Sequence, residues 1–328
     1  MKFILWSLLV LYPALAAGQS YDTVRVCTYN VLNFSGAENA QERIDEIRMI
    51  LNEIRPRVLM VQELANEEGK KLFEDSITNV LGIPLVPVAG AFRVTQDSYV
   101  WVYYDAETFE TITAITLEND LRDQRAGHLR HRLSGDSLAF VTLHWKAGDT
   151  PDDEAQREQT GRFIRNFVQI NNQIGEITAT VVAGDMNVYT SEEPGYQQLL
   201  EELSDPINRP GSWHNNVDFA DVHTQSPRLR QFGGGVNGGM DDRFDQILLS
   251  PALLSRYLPG SYTSFGNDGN HFNDSINAMP NTAVSPELAQ ALHDASDHLP
   301  VYLDLVFEKN TTSVEDEEVW TRRLLDLW

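Results

Sequence analysis

The chain has 328 residues, a single cysteine and a formal net charge of −23. One thiol excludes any intramolecular disulfide. A surface this acidic repels nucleic acid and anionic membranes at long range, so a phosphate substrate needs a metal ion and a local basic patch to mask the field.

The chain opens MKFILWSLLVLYPALAAGQ. One Lys, an apolar run and a small-residue stretch read as a secretory signal peptide over residues 1–18. The run is too short and wrongly flanked for a transmembrane span, and no later run is long enough. The mature protein is expected to start near Ala17 to Ser20 and to act outside the cell or in the periplasm, as a monomer without stable membrane insertion.

About 290 residues then precede the tail, enough for one large domain, expected over 22–309. Strand-like runs recur in it: VRVCTYNVL (24–32), RVLMVQEL (57–64), SYVWVYY (98–104), LAFVTLHW (138–145), TATVVAGD (178–185), FDQILLS (244–250) and LPVYLDLVF (299–307). Helical patterns lie between them. Ile44, Ile47, Leu51 and Ile54 share a face, as do Phe73, Ile77 and Val80. Phe163, Phe167, Ile170 and Ile174 mark a long helix beginning near Asp152. Alternating strands and helices indicate an α/β domain. Cys27 sits inside the first strand, where a packed thiol is expected rather than a nucleophile.

Three segments stand apart. LRDQRAGHLRHRL (121–133) carries four arginines against one acid and reads either as a phosphate-facing patch or as an exposed loop. Residues 210–242 are rich in turn formers, and their G-x-G-x-x-G (Gly233, Gly235, Gly238) lacks the strand and helix of a nucleotide site. Residues 310–328 read as a polar, acidic linker or tail.

Polar residues close or open the strands: Asn30, Glu63, His144, Asp185 with Asn187, Asp245, and the pair Asp297-His298. In open α/β sheets, function gathers at such ends. Four carboxylates in one cleft cannot all stay ionised without a cation. Oxygen donors suit Mg²⁺, Mn²⁺ or Ca²⁺, and the absence of HExxH and of a cysteine cluster argues against zinc. No G-x-S-x-G elbow is present for a serine hydrolase. A hard cation with two histidines and nearby Arg and Lys is a site for splitting phosphate esters.

VCTYNVLNF, VLMVQEL, FVTLHWKA, VVAGDMN, FADVH, DRFDQILLS and SDHLPV follow one another in the order of the endonuclease/exonuclease/phosphatase superfamily, the deoxyribonuclease I-like proteins. The chain most resembles the secreted bacterial branch. The resemblance implies a four-layer α/β/β/α sandwich of two packed mixed sheets. It also implies Glu63, Asn30 and Asp297 at the metal, and His144, Asp185, Asn187, Asp245 and His298 as the catalytic set. The resemblance implies an acid partner for His144, which spacing assigns to Asp97, and an arginine contact to phosphate at Arg130; Lys146 reads either as a phosphate contact or as an exposed strand-end residue. His131, His214, His223 and His271 are expected to be surface or loop residues, and Asp221 to hold a loop by hydrogen bonding.

These features point to a secreted phosphodiesterase acting on extracellular nucleic acid. A second reading keeps the chemistry and takes a phospholipid or inositol phosphate, in the manner of a sphingomyelinase, with Trp213 and Phe219 as an exposed membrane-contacting loop. A third keeps only the fold, as a binding protein.

Overall fold

The structure, a computed structural model, describes residues 19–92, 98–119, 121–174 and 179–310. The expected leader, Asp97 and the tail beyond Asn310 lie outside the described residues.

The described elements run β1 (Tyr21–Phe34), α1 (Glu38–Gln41), α2 (Ile44–Ile54), β2 (Val58–Leu64), α3 (Glu67–Ser76), β3 (Val86–Pro87), β4 (Tyr99–Tyr104), β5 (Phe109–Leu117), β6 (Gln124–His131), β7 (Ser137–His144), α4 (Pro151–Ile174), β8 (Thr180–Asp185), α5 (Pro194–Leu200), β9 (Asp245–Leu249), α6 (Pro251–Leu254), β10 (Thr263–Ser264), α7 (Pro286–Ala295) and β11 (Val301–Glu308). One sheet has the order β10-β11-β1-β2-β4-β3, the other β5-β6-β7-β8-β9. The β1–β2 and β7–β8 pairs are parallel and their neighbours antiparallel, so both sheets are mixed.

Period-two alternation builds the layers. Phe140, Val181, Ala183, Ile247 and Leu249 face the other sheet and share its core with Val26, Leu59 and Val301. Their chain neighbours Val141, Leu143, Val182 and Leu248 point the opposite way, onto Ile164, Val168, Tyr196 and Leu199 of α4 and α5. Helices α2 and α7 pack together beside the six-stranded sheet, completing an α/β/β/α sandwich. Cys27 is fully buried in β1.

Several expected faces differ. In α2, Ile47, Ile50, Leu51 and Ile54 are buried, close to the pattern read from the sequence. Helix α3 ends at Ser76, and Val80 is exposed in a short 3₁₀ turn after it. In α4 the buried row is Arg157, Gly161, Ile164 and Val168, while Phe163 and Ile170 are exposed. The cause is a backbone contact: a Cβ on Gly161 would lie 2.4 Å from the carbonyl oxygen of Gly195 in α5. That approach sets the rotation of α4, ahead of its larger apolar side chains.

The basic run 121–133 divides: Arg122 precedes the strand and reaches the strand-end cluster at His144. The rest is mostly strand β6, and the pleat disperses its charges. Arg125 is buried with its guanidinium 4.2 Å from the Trp101 ring centroid, while Arg130 and Arg132 pair with Glu110. His131 is buried against Phe307 and bonded to Asp22 and Ser134, which corrects its expected surface position.

Candidate active site

The polar ends of β1, β2, β7, β8, β9 and β11 meet at one edge of the sandwich. Asn30 and Glu63 get there through paired irregularities: β1 and β2 slip register between Asn30 and Phe34, and β2 and β4 between Val61 and Leu64. Glu63 itself has φ 64°, in the left-handed region that costs a non-glycine residue on the order of 1–3 kcal/mol. Asn187, after β8, has φ 49°. Such bulges turn a side chain out of the alternating pattern, and here they turn Glu63 into the cleft. Its Oε2 accepts the Asn33 amide at 2.8 Å.

Asn30 ties two carboxylates together. Its side-chain nitrogen donates to Glu63 Oε1 at 3.0 Å and to Asp185 Oδ2 at 3.1 Å. Its oxygen accepts the Leu32 amide, so Asn30 orients the acids and its own oxygen is engaged. Asp185 Oδ1 accepts the Asn187 amide at 3.1 Å. Asp185 Oδ2 lies 3.5 Å from His144 Nε2 and 3.7 Å from His298 Nε2, so one carboxylate oxygen stands between the two imidazoles.

Those imidazoles are polarised in opposite senses. Both are almost wholly buried, which disfavours charge on either. At His298 the neighbouring carboxylates of Asp245 and Asp185 overcome burial and hold the ring well above its ordinary value. His298 Nδ1 lies 2.7 Å from Asp245 Oδ2, and the Gln225 amide lies 2.6 Å from Nε2. At His144 burial, then the Arg122 guanidinium and then His298, push the ring well below its ordinary value. The two rings on either side of Asp185 are thus biased in opposite directions, His298 toward holding a proton and His144 toward losing one. Burial, followed by the opposing effects of His298 and of the acids Asp245 and Glu63, leaves the Asp185 carboxyl raised.

Arg122 was not among the expected site residues. Its Nη1 lies 2.9 Å from His144 Nε2 and donates to Trp145 O at 3.0 Å. Its only sequence signal was membership of the basic run. Gln225 and Thr224 were also missed. Thr224 Oγ1 accepts the amides of Phe244 and Asp245, while its carbonyl accepts the Leu299 amide. One threonine therefore fixes the chain on both sides of the Asp245–His298 pair.

Other expected site residues make contacts of their own. Asp297 Oδ2 accepts the Val236 amide at 2.7 Å, and a Cβ on Gly235 would meet the same oxygen at 2.5 Å. Asp297 thus anchors the glycine loop 233–236, and its other oxygen is buried without a hydrogen-bond partner. Lys146 pairs with Asp153 at 2.9 Å. Arg130 is a correction. It is opposite Ser137 at the far end of β7, seven residues or roughly 23 Å of strand from His144. Trp213 is fully buried with its Nε1 donating to Arg209 O, so it is no membrane anchor, and Phe219 packs against the same core. His223 and His271 are buried, each bonded to a backbone carbonyl, and His214 pairs with Asp242. Asp221 binds Arg209, as a loop-holding acid would.

The donor set suits a hard cation. Ligand atoms of Glu63, His144 and Asp185 all lie within 4.8 Å of one another. Arg122 occupies His144 Nε2, which leaves two carboxylates converging on the single Asn30 nitrogen. A pair of like charges so arranged, with Asp185 buried and Glu63 half-buried, calls for a divalent ion held by oxygen.

A two-sheet sandwich with carboxylates and imidazoles gathered at its strand ends defines a phosphoric ester hydrolase. The model of the Endonuclease/Exonuclease/phosphatase family matches residues 27–298, and the chain belongs to that family. No curated protein matches it significantly. Among solved structures, an endonuclease/exonuclease/phosphatase family protein from Bacteroides thetaiotaomicron is 16% identical, with 88% of this chain and 96% of that one covered and a TM-score of 0.56. D. rerio TDP2, in complex with a single-strand DNA product, is 15% identical over 86% of this chain and 98% of its own, also at 0.56. A mannosyl-6-phosphatase from Bacteroides thetaiotaomicron is 17% identical over 87% and 100%, again at 0.56. At these identities the likeness is one of fold.

Proposed function

We propose that the chain is an exported, divalent-metal-dependent phosphodiesterase and that nucleic acid outside the cell is its substrate. The reading rests above all on one observation: Asp185 Oδ2 stands 3.5 Å from His144 Nε2 and 3.7 Å from His298 Nε2, with Glu63 in the same cluster.

A phosphodiester resists water because its own negative charge repels the nucleophile. Glu63 and Asp185 would hold a Mg²⁺, Mn²⁺ or Ca²⁺ ion, which when bound neutralises charge on the phosphate. Asp185, tied to the Asn187 amide, would orient the attacking water at that ion and take its proton. Asn187 gives one amide hydrogen to Trp145 O, and the rest of its amide orients that water. His298, charged and braced by Asp245, donates to the phosphate or to the departing oxygen. Arg122, braced by Trp145 O and His144 Nε2, supplies a donor on the opposite side, where negative charge builds in the transition state.

The D. rerio neighbour solved with a DNA product supports nucleic acid as the substrate. A small phosphate ester is the second reading. The dispersal of the basic run favours it, because among the described residues of a chain of net charge −23 that run then forms no cationic track for a long polyanion. Incubation with supercoiled plasmid, RNA and small esters under each metal tests the reading. Plasmid nicking that EDTA abolishes, and that His298→Ala and Glu63→Ala each remove, is the expected result. Undiminished cleavage by both variants would overturn the site, and turnover of small esters alone would select the second reading.

A further inference from the structure

Behind Arg122 and His144 lies a cavity of about 600 Å³. It is bounded by the β5–β6 connection, the end of β7 and the first half of α4. The volume is that of a small-molecule site. Arg122 and His144 belong to both spaces, so a substrate whose phosphate sits at the reacting cluster has one substituent directed into the cavity.

Its lining mixes polar and apolar side chains. Asn119 and Gln156 use their amide nitrogens within the protein, and Gln159, exposed on α4, turns its amide to the cavity. Among the described residues, its Lys146 is matched by Asp153, and its Arg162 by Glu158 four residues away on α4. A second phosphate would meet little net positive charge there. Phe163, exposed although it is aromatic and helical, offers an apolar ring at the same wall. The walls are tied together by the Asn119 side chain donating to Thr160 Oγ1 at 3.0 Å. The floor is fixed by Gln124, whose oxygen accepts the His144 amide and whose nitrogen donates to Arg122 O. Amides around one apolar ring match a group with hydroxyls on its edge and C–H bonds on its face.

We infer that this cavity is a subsite for a neutral, hydroxyl-bearing sugar ring attached to the scissile phosphate. The inference rests on the phosphoesterase reading and adds what that reading leaves open, the group recognised beside the phosphate. Nucleotide sugars and free hexose phosphates share this chemistry. Gln159 and Phe163 are then specificity residues, and neither touches the reacting atoms.

Two probes with one leaving group isolate the effect: the p-nitrophenyl ester of thymidine 5′-phosphate and bis(p-nitrophenyl) phosphate. In Gln159→Leu and in Phe163→Ala, the ratio of kcat/KM for the thymidine ester to that for the bis ester should fall about tenfold, through KM. Both side chains lie on the exposed side of α4, so the fold is expected to survive. Calorimetry on the full chain with Mg²⁺ supplies a second readout. Glucose 6-phosphate should bind about tenfold more tightly than inorganic phosphate, and Phe163→Ala should erase the difference. A response to thymidine alone assigns the subsite to a nucleotide sugar, and a response to glucose 6-phosphate alone assigns it to a hexose. An unchanged ratio together with equal affinities overturns the subsite. Failure of the parent chain to cleave either ester counts against the phosphodiesterase reading instead, and the calorimetry still decides the cavity.

Discussion

His298 Nδ1 lies 2.7 Å from Asp245 Oδ2, and the two residues come from different sheets. Asp245 opens β9 of the five-stranded sheet, and His298 leads into β11 of the six-stranded one. The pair therefore forms only when the sandwich is assembled. With Asp245→Asn, the ring loses the acid that best offsets its burial. We expect kcat to fall by about 10²- to 10⁴-fold, the usual span for a positioned acid–base group. An activity within twofold of the parent would leave Asp245 a purely structural residue.

The same pair gives stability a definite pH dependence. His298 is held well above its ordinary 6.5, because Asp245 and Asp185 outweigh burial. A raised folded value means that the contribution is complete below about pH 6.5 and is lost as pH climbs through the folded value. In EDTA, the urea midpoint of the parent should decline toward alkaline pH more steeply than that of His298→Asn. Parallel curves for the two proteins would refute the charged ring.

Arg122→Ala should lower kcat about 100-fold, the scale of losing one transition-state donor. It should also raise the titration midpoint of His144. Burial is the larger cause of that ring's depression, but the guanidinium is the next. NMR of the labelled imidazole reads the shift. A ring whose titration ignores the substitution would separate Arg122 from the site.

Two substitutions at Glu63 distinguish metal binding from strain. Glu63→Ala and Glu63→Gly should both lose most affinity for Mg²⁺ in calorimetry. The glycine variant should be the more stable of the two by about 1 kcal/mol in EDTA, because φ 64° suits glycine and strains alanine. Equal stability of the two variants would mean that the backbone at 63 relaxes.

Trp213→Ala tests the corrected loop. A fully buried indole is worth about 3–5 kcal/mol against alanine, so thermal unfolding should occur well below that of the parent. A membrane-contacting tryptophan would leave stability intact and remove lipid binding instead.

How much of this was readable in the chain depends on how local the cause is. Runs such as TATVVAGD and FDQILLS declare a strand and its polar end within one stretch, and seven strands could be recognised in that way. Strand β6 could not, because Arg125 and His131 are buried by partners distant in sequence, Trp101 and Asp22. Its edge partner β5 exposes Ile112 and Ile115 and so breaks alternation. The face of α4 follows from a glycine contact with α5 that no hydrophobic period encodes. In the site, Glu63, Asp185 and His298 were visible as strand-end residues. Arg122, Thr224 and Gln225 act through what they touch across the fold, which a linear pattern does not carry.

The lone thiol has a practical consequence. Cys27 is sealed in the middle of β1, and burial raises its pKa, so it is inert toward alkylating reagents while the two sheets stay closed. Its labelling by a reagent that outpaces reclosing reads the rate at which the sandwich parts, in the unmodified protein and without an engineered probe.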